Sequence, residues 1–535
     1  MPPGAPLPGQ LPQPPNQKRP PLGFTSSQYC QWNDYGLKPQ VDVLERTGLK
    51  DLGFKTFVIA CEWNKGMDPE GKLIVDDKQF EGGLTGFGRF LQDKQMKFGL
   101  RIDSVTAGCP WPPKKKKKVL GIFRRSDENE KLGLNSKQLQ KRKGDYPPLD
   151  PSRVENQFQQ IASWGVTHLE YRPCLFVTAG AIQNPDLSKV TNDPYIQMKQ
   201  SIQRSQKDIF LATGQWGVTD ETRLETADTW RVNNPAKEDW QKIRQTINAM
   251  VALSHKSAPG HFNDLDAIDW NHRDLSPMEQ ATQVIFWAAT KSPLLLTGDL
   301  NQDNPSILGF LKNKALIDIN QDALGKSITF RRRYTNDNDV WAGELSDGSM
   351  VAMLINWKDE ERELTLSLAD VELTSANGFD VISGKDLGPS NTTQSKTKGM
   401  GKAVLRPVTD KLQAMTYLEP DGVGAVQFVN LEGGDKGGRL LVAIDYINSK
   451  LDDFSPSWCP NCLIAKIKVN DAPEVEIEFP ITGLTNNIPM SYLVELDGFK
   501  PGSDNTLTYT GAHKQAAPDI TQVSFFSASA PSGYQ

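Results

Sequence analysis

Between residues 53 and 325, short apolar runs alternate with amphipathic segments, and this alternation limits the fold more than any other feature of the chain. FKTFVIACEW reads as a strand apolar on both faces, GGLTGFGRFLQDKQ as a helix, KFGLRID as a strand, VENQFQQIASWG as a helix and THLEYRPC as a strand. The order continues through helix YIQMKQSIQRSQ, strand DIFLATGQW, helices EDWQKIRQTINAMVAL and PMEQATQVIFWAAT, and strand PLLLTGDL. Strands buried on both faces and separated by helices belong to a parallel α/β sheet covered by helices. Roughly eight such units in about 270 residues predict a closed (β/α)8 TIM barrel rather than an open sheet, and in a barrel the strand C-termini carry function. One strand end is unusual: HLEYRPC (168–174) holds Glu170 and Arg172 two residues apart, a spacing that aims a carboxylate and a guanidinium at one face.

After NQDALGK (320–326) the period changes to two. VWAGELSDGSMVAMLINW and ERELTLSLADV predict an antiparallel β domain over 326–408. GAVQFVN, RLLVAIDYIN, LIAKIKVN, EVEIEFP, TLTYTG and QVSFFS predict a C-terminal β-sandwich over 409–530. Residues 1–18 are proline-rich, have no apolar core and read as disordered, neither signal peptide nor anchor. The barrel is therefore assigned to 19–325, with a strongly basic insertion at 113–144. PPKKKKKV within it reads as a solvated loop, a nuclear-localisation string or translated intron, and the sequence leaves all three open.

At 535 residues, 38% hydrophobic and 23% charged, with a net charge of -5, the chain is globular and gives no reason to expect nucleic acid. No apolar run is long enough to span a bilayer, so no membrane is expected. Five histidines show no ligand spacing and WCPNC has no second cysteine pair, so no metal and no cofactor are expected. Six cysteines, Cys30, Cys61, Cys109, Cys174, Cys459 and Cys462, lean towards disulfides and an oxidising compartment.

Five strings, in order, resemble landmarks of glycoside hydrolase family 27, the α-galactosidases and α-N-acetylgalactosaminidases: RPPLGFTSSQ, GQWGV, GHFNDLDAIDW, KSPLLLTGDL and ALIDINQDALGK. The resemblance covers about 19–407 and implies a (β/α)8 barrel with a C-terminal β domain and a carbohydrate ligand of galactoside type. The third region resembles family 35 carbohydrate-binding modules through AIDYIN, AKIKVNDAPEVEIEFPITG and APDITQVSF. The family 27 resemblance also implies disulfides Cys109–Cys174 and Cys30–Cys61, leaving Cys459–Cys462, and a secreted protein whose leader is absent from this sequence. Asn391 begins a glycosylation sequon compatible with secretion.

Family members of this kind hydrolyse glycosides with two carboxylates about 5 Å apart. Aligned on LEYRPC, the family nucleophile position is Arg172 and the sugar-contacting lysine position is Glu170; aligned on TWRVNNPA, the acid/base position is Pro235. Arginine has no lone pair to attack with and proline does not titrate. Other sugar-contacting positions are changed to Ala60, Cys61, Arg101, Gln215 and Ser27, whereas Trp63, Trp216, Asp103, Arg231, Asp264 and Asp266 remain. Asp264 and Asp266 are expected to brace a strand end. Trp63, Arg101, Glu170, Gln215, Trp216 and Arg231 form the candidate binding set. The resemblance thus implies a hydrolytically inactive relative that recognises carbohydrate. The competing expectation is a glycosidase using relocated acids, with Glu62, Asp103 and Glu170 as candidates. A third places binding in the C-terminal module.

Overall fold

The computed structural model describes residues 18–60, 63–102, 151–171, 194–214, 227–232, 239–334, 338–391, 406–414, 418, 425–449, 462–483 and 489–525, apart from a few positions within these spans. The first elements are β1 (Leu22–Thr25), α1 (Asp34–Arg46), β2 (Thr56–Ile59), a hairpin of β3 (Asn64–Met67) and β4 (Leu73–Val75), α2 (Gly83–Asp93) and β5 (Lys97–Ile102). Then follow α3 (Pro151–Ser163), β6 (His168–Tyr171), α4 (Pro194–Ser205), β7 (Phe210–Thr213), β8 (Thr229–Arg231) and α5 (Trp240–Leu253). The series ends with β9 (Phe262–Asp264), β10 (Ile268–Asp269), α6 (Pro277–Ala289), β11 (Leu294–Thr297), α7 (Pro305–Leu311) and α8 (Lys314–Asn320).

These strands form one parallel sheet in the order β10-β11-β1-β2-β5-β6-β7-β8-β9. Its two ends, β9 and β10, are halves of one stretch, 262–269: β9 pairs with β8 and β10 with β11. Counted as one position they leave eight, and the ring closes as the TIM barrel expected from the alternation. Helix starts follow local chemistry. Asn33 caps α1, Asp239 caps α5, and Ser276 with Glu279 makes a reciprocal capping box on α6.

Strand pleating sorts side chains into two sets. Leu22, Phe24, Phe57, Phe98, Leu100, Leu169, Tyr171, Leu211, Leu294 and Leu296 join the apolar layer under the helices. Their alternates face the ring interior. Gly23 shows how tightly this ring is drawn, because a Cβ there would stand 1.8 Å from the Thr56 carbonyl oxygen. Gly23→Ala is expected to push β1 away from β2 and to destabilise the fold by about 1–3 kcal/mol, measured by denaturant unfolding. Lys18, placed by the sequence in the disordered N-terminal stretch, is instead fixed in the structure: its Nζ pairs with Asp228 at 2.7 Å and donates to the Ile209 carbonyl at 3.2 Å.

Beyond the barrel lie β12 (Thr329–Tyr334), β13 (Asn338–Glu344), β14 (Met350–Asn356), the hairpin β15 (Ser375–Asp380) and β16 (Lys385–Asn391), and the hairpin β17 (Arg406–Thr409) and β18 (Leu412–Ala414). The remaining strands are β19 (Ala425–Leu431), β20 (Gly438–Ile447), β21 (Leu463–Val469), β22 (Val475–Phe479), β23 (Met490–Phe499), β24 (Asn505–Gly511) and β25 (Asp519–Phe525). The sequence boundary near 408 is not a boundary between sheets. A six-stranded sheet runs β14-β13-β12-β23-β20-β25, joined by parallel pairing of Arg332–Tyr334 with Ser491–Leu493. Sequence reading missed β23, the strand that makes this join. It also read ERELTLSLADV as a strand, whereas Leu368–Val371 is a 3-10 turn. A four-stranded sheet, β19-β24-β21-β22, completes the sandwich over a core that includes Tyr446, Phe479, Tyr492 and Tyr509. The barrel is fastened to these strands by Phe286 of α6, which packs edge-on against Trp341 of β13 with ring centroids 4.9 Å apart.

Candidate functional site

The interior positions nearest the C-terminal end of the barrel carry charge. In register, Arg101 of β5 lies beside Glu170 of β6, and Arg231 of β8 lies beside Asp264 of β9. Glu170 and Arg231 are each 5% exposed and Asp264 is 9% exposed. The Arg231 Nε donates to Asp264 Oδ2 at 3.1 Å, and its Nη1 pairs with Asp266. Asp264 Oδ1 accepts the Asp266 backbone N–H at 3.0 Å, and Asp266 Oδ1 accepts that of Ala267 at 2.8 Å. Asp266 sits at φ +86°, a left-handed conformation costly for a residue with a Cβ. These bonds hold the break between β9 and β10 in shape, so Asp264 and Asp266 brace the strand end and Arg231 is the clasp.

Electrostatics follow from this arrangement. Burial opposes the Arg231 charge, but Asp264, Asp266 and Glu170 outweigh it and hold the guanidinium above its ordinary pKa. Burial pushes the Asp264 carboxyl up, with Asp266 and Glu170 adding to the rise and Arg231 opposing it. Among the described residues no group of three metal-ligating side chains comes together, and a guanidinium stands among these three acids. One position below Glu170 on the same interior face, His168 lies stacked on Phe210 with centroids 5.2 Å apart and planes at 9°.

The other predicted residues fall as follows. Trp63 is fully buried, packs edge-on against Trp164 at 5.8 Å and donates its indole N–H to the Arg101 carbonyl at 2.9 Å. Arg101 in turn donates its Nε to the Ala60 carbonyl at 2.7 Å, fixing the top of β5 against β2. Glu62, Asp103, Arg172, Gln215, Trp216, Pro235, Cys61, Cys109, Cys174 and Cys459 lie outside the described residues. Neither described cysteine, Cys30 or Cys462, is a free thiol. Asn391 is the last residue of β16.

Two half-buried aromatic residues at this end of the barrel were not singled out in the sequence. Tyr29 and Trp32, on the connection from β1 to α1, stack with centroids 4.2 Å apart. Their three-residue spacing directly after a strand end was the available signal.

A closed parallel barrel with charged strand ends, followed by β strands, defines a TIM-barrel protein with an appended β unit. The profile described as alpha galactosidase A matches residues 113–322, and that of the alpha galactosidase C-terminal beta sandwich domain matches 335–406. The chain belongs to glycoside hydrolase family 27, the melibiase-like glycosidases. It is 29% identical over 506 residues to probable alpha-galactosidase D of Aspergillus niger, covering 90% of this chain and 71% of that one. It is 28% identical over 417 residues to probable alpha-galactosidase D of Aspergillus oryzae, covering 74% of this chain but only 59% of the relative. With alpha-galactosidase D of Emericella nidulans it shares 29% identity over 369 residues, 67% of this chain and 51% of the other.

Solved structures agree on the fold. A family 27 β-L-arabinopyranosidase variant from Geobacillus stearothermophilus, in complex with arabinose, superposes with a TM-score of 0.54 at 17% identity, covering 70% of this chain and 93% of that one. The Saccharomyces cerevisiae α-galactosidase gives 0.51 at 17% identity, covering 92% and 98%. No helix among the described residues is long and apolar enough to cross a membrane.

Proposed function

We propose that this chain is a secreted carbohydrate-binding member of family 27 that does not hydrolyse α-galactosides by the two-aspartate route. The observation that carries this reading is the replacement of both family carboxylates, by Arg172 at the nucleophile position and Pro235 at the acid/base position. The charge change at Glu170 supports it, since a carboxylate stands where the family has a sugar-contacting lysine. The arabinose complex of the Geobacillus relative, and the names of the fungal ones, support a pyranose of the galactose or arabinose type as ligand. Disulfides Cys109–Cys174, Cys30–Cys61 and Cys459–Cys462 belong to this proposal, and the absence of a free thiol at Cys30 and Cys462 supports them. The C-terminal sandwich is proposed as a second carbohydrate-binding unit. The in-register side chains Gln427, Thr508, Thr510, Lys466 and Lys468 on its four-stranded sheet offer hydrogen bonds rather than rings to a sugar.

A second reading keeps hydrolysis with Glu62, Asp103 and Glu170 as relocated acids. It is favoured by the placement of Glu170, a carboxylate only 5% exposed on the interior face at the C-terminal end of the barrel. Hydrolysis of an aryl α-galactoside and an aryl α-N-acetylgalactosaminide by the purified chain decides between the two. We expect no release above the uncatalysed rate, because loss of either catalytic carboxylate removes several powers of ten. Turnover that disappears in Glu170→Gln overturns the inactive reading.

A further inference from the structure

The connection from β1 to α1 folds as two successive tight turns. The Tyr29 N–H donates to the Ser26 carbonyl at 2.9 Å, and the Trp32 N–H donates to the Tyr29 carbonyl at 3.0 Å. Bonds of this i to i+3 kind bring side chains three apart into line. The Tyr29 ring accordingly lies on the Trp32 ring, with planes inclined by 37°.

The pair is also tied to its neighbours. The Tyr29 hydroxyl donates to Asn271 Oδ1 at 3.4 Å, Asn271 Nδ2 donates to the Asp299 carbonyl at 3.1 Å, and the Asn271 N–H donates to Asp269 Oδ1 at 2.9 Å. Asn271 and Asp299 follow β10 and β11, so two strand ends hold the aromatic pair at the barrel's C-terminal mouth. Ser27 supplies only a hydroxyl, donated to Thr297 Oγ1 at 3.3 Å. Other indoles are consumed by packing: Trp63, Trp230, Trp270 and Trp287 are no more than 3% exposed. Tyr29 and Trp32 are half-buried: the Trp32 indole packs on Tyr29, on the apolar layer and beside Gly36 of α1, and each residue keeps part of its surface exposed.

We infer that Tyr29 and Trp32 form a stacking wall for a pyranose ring at the barrel mouth, a role that rests on the carbohydrate reading above. A pyranose has a face of C–H bonds and a rim of hydroxyls. The C–H face leaves water readily for an aromatic surface whose face is electronegative, while the rim keeps its hydrogen bonds. Tethering at the Tyr29 hydroxyl and backbone turns at both residues order the wall before the sugar arrives, so little freedom is lost on binding.

The test is calorimetric titration of the full chain with methyl α-D-galactopyranoside and with L-arabinose. Trp32→Ala is expected to weaken binding at least about tenfold, and Trp32→Phe, which keeps a ring, by less than about threefold. Should Trp32→Ala fail to fold, Trp32→Leu, which fills much of the same space without a π face, serves in its place, with the thermal midpoint as control. Equal sugar affinity of the wild type and a folded Trp32→Ala or Trp32→Leu overturns the wall and leaves the carbohydrate reading standing. Binding of neither sugar by the wild type overturns both.

Discussion

Asp339→Ala is expected to destabilise the protein by about 3–5 kcal/mol, the range found when one partner of a buried ion pair is removed. Arg333 of β12 and Asp339 of β13 face each other in register, with side chains 2% and 0% exposed. Two parallel bonds join them, Nε to Oδ1 at 2.5 Å and Nη2 to Oδ2 at 2.8 Å. The same Nη2 reaches Asn248 Oδ1 of helix α5 at 3.0 Å, so the pair ties the β strands to the barrel. Burial opposes the Arg333 charge, and Asp339 overcomes it, keeping the guanidinium above its ordinary pKa. Without Asp339 that charge stays buried with its main counter-ion gone. The double variant Arg333→Met/Asp339→Leu is expected to recover most of the loss, because two apolar residues need no counter-ion. Chemical unfolding of the three proteins checks this, and a double variant as unstable as Asp339→Ala contradicts it.

Acid is expected to weaken the barrel through His168. Burial lowers this imidazole from its ordinary 6.5 to about 4, against the pull of Glu170 and Asp228. The unfolded chain takes up the proton near pH 6.5, whereas the folded chain resists until about pH 4, so between these values the unfolded state binds more protons. Stability contributed by neutral His168 is complete above pH 6.5 and falls by about 3 kcal/mol as the pH drops to 4. Asp264 acts in the opposite sense: its carboxyl is raised, the folded state holds that proton more tightly, and acidification favours it. His168→Phe, which preserves a ring against Phe210, is expected to flatten the acid limb of a plot of unfolding midpoint against pH. An unchanged slope between pH 6.5 and 4 counts against His168 as its source.

The barrel was legible because its strands and helices are each written locally. PMEQATQVIFWAAT carries its own capping box and apolar face, and THLEYRPC ends in a buried strand at His168–Tyr171. The expected replacements at Arg172 and Pro235 lie outside the described residues, so the fold carries no reading of them. What escaped depends on distant partners. Arg333 and Asp339 are among the most buried charges because Asn248 and Trp357 close over them from other segments. MSYLVELDGF carries alternating apolar residues between turn signals, yet its pairing with β12 spans most of the β region and has no local signature. Trp63 looked available to a ligand. Its burial follows from Trp164, a neighbour about a hundred residues away just past helix α3, and such contacts have no local signature.

The parallel join between β12 and β23 also constrains how the chain is made. A ribosome delivers the barrel and the three strands β12, β13 and β14 long before Ser491–Leu493 exist. Until then β12 presents an open edge on the side β23 will fill, the kind of template that recruits foreign strands. Completion of the barrel-proximal sheet therefore waits for strands made well after the barrel, and the newborn protein depends on β23 for protection against self-association.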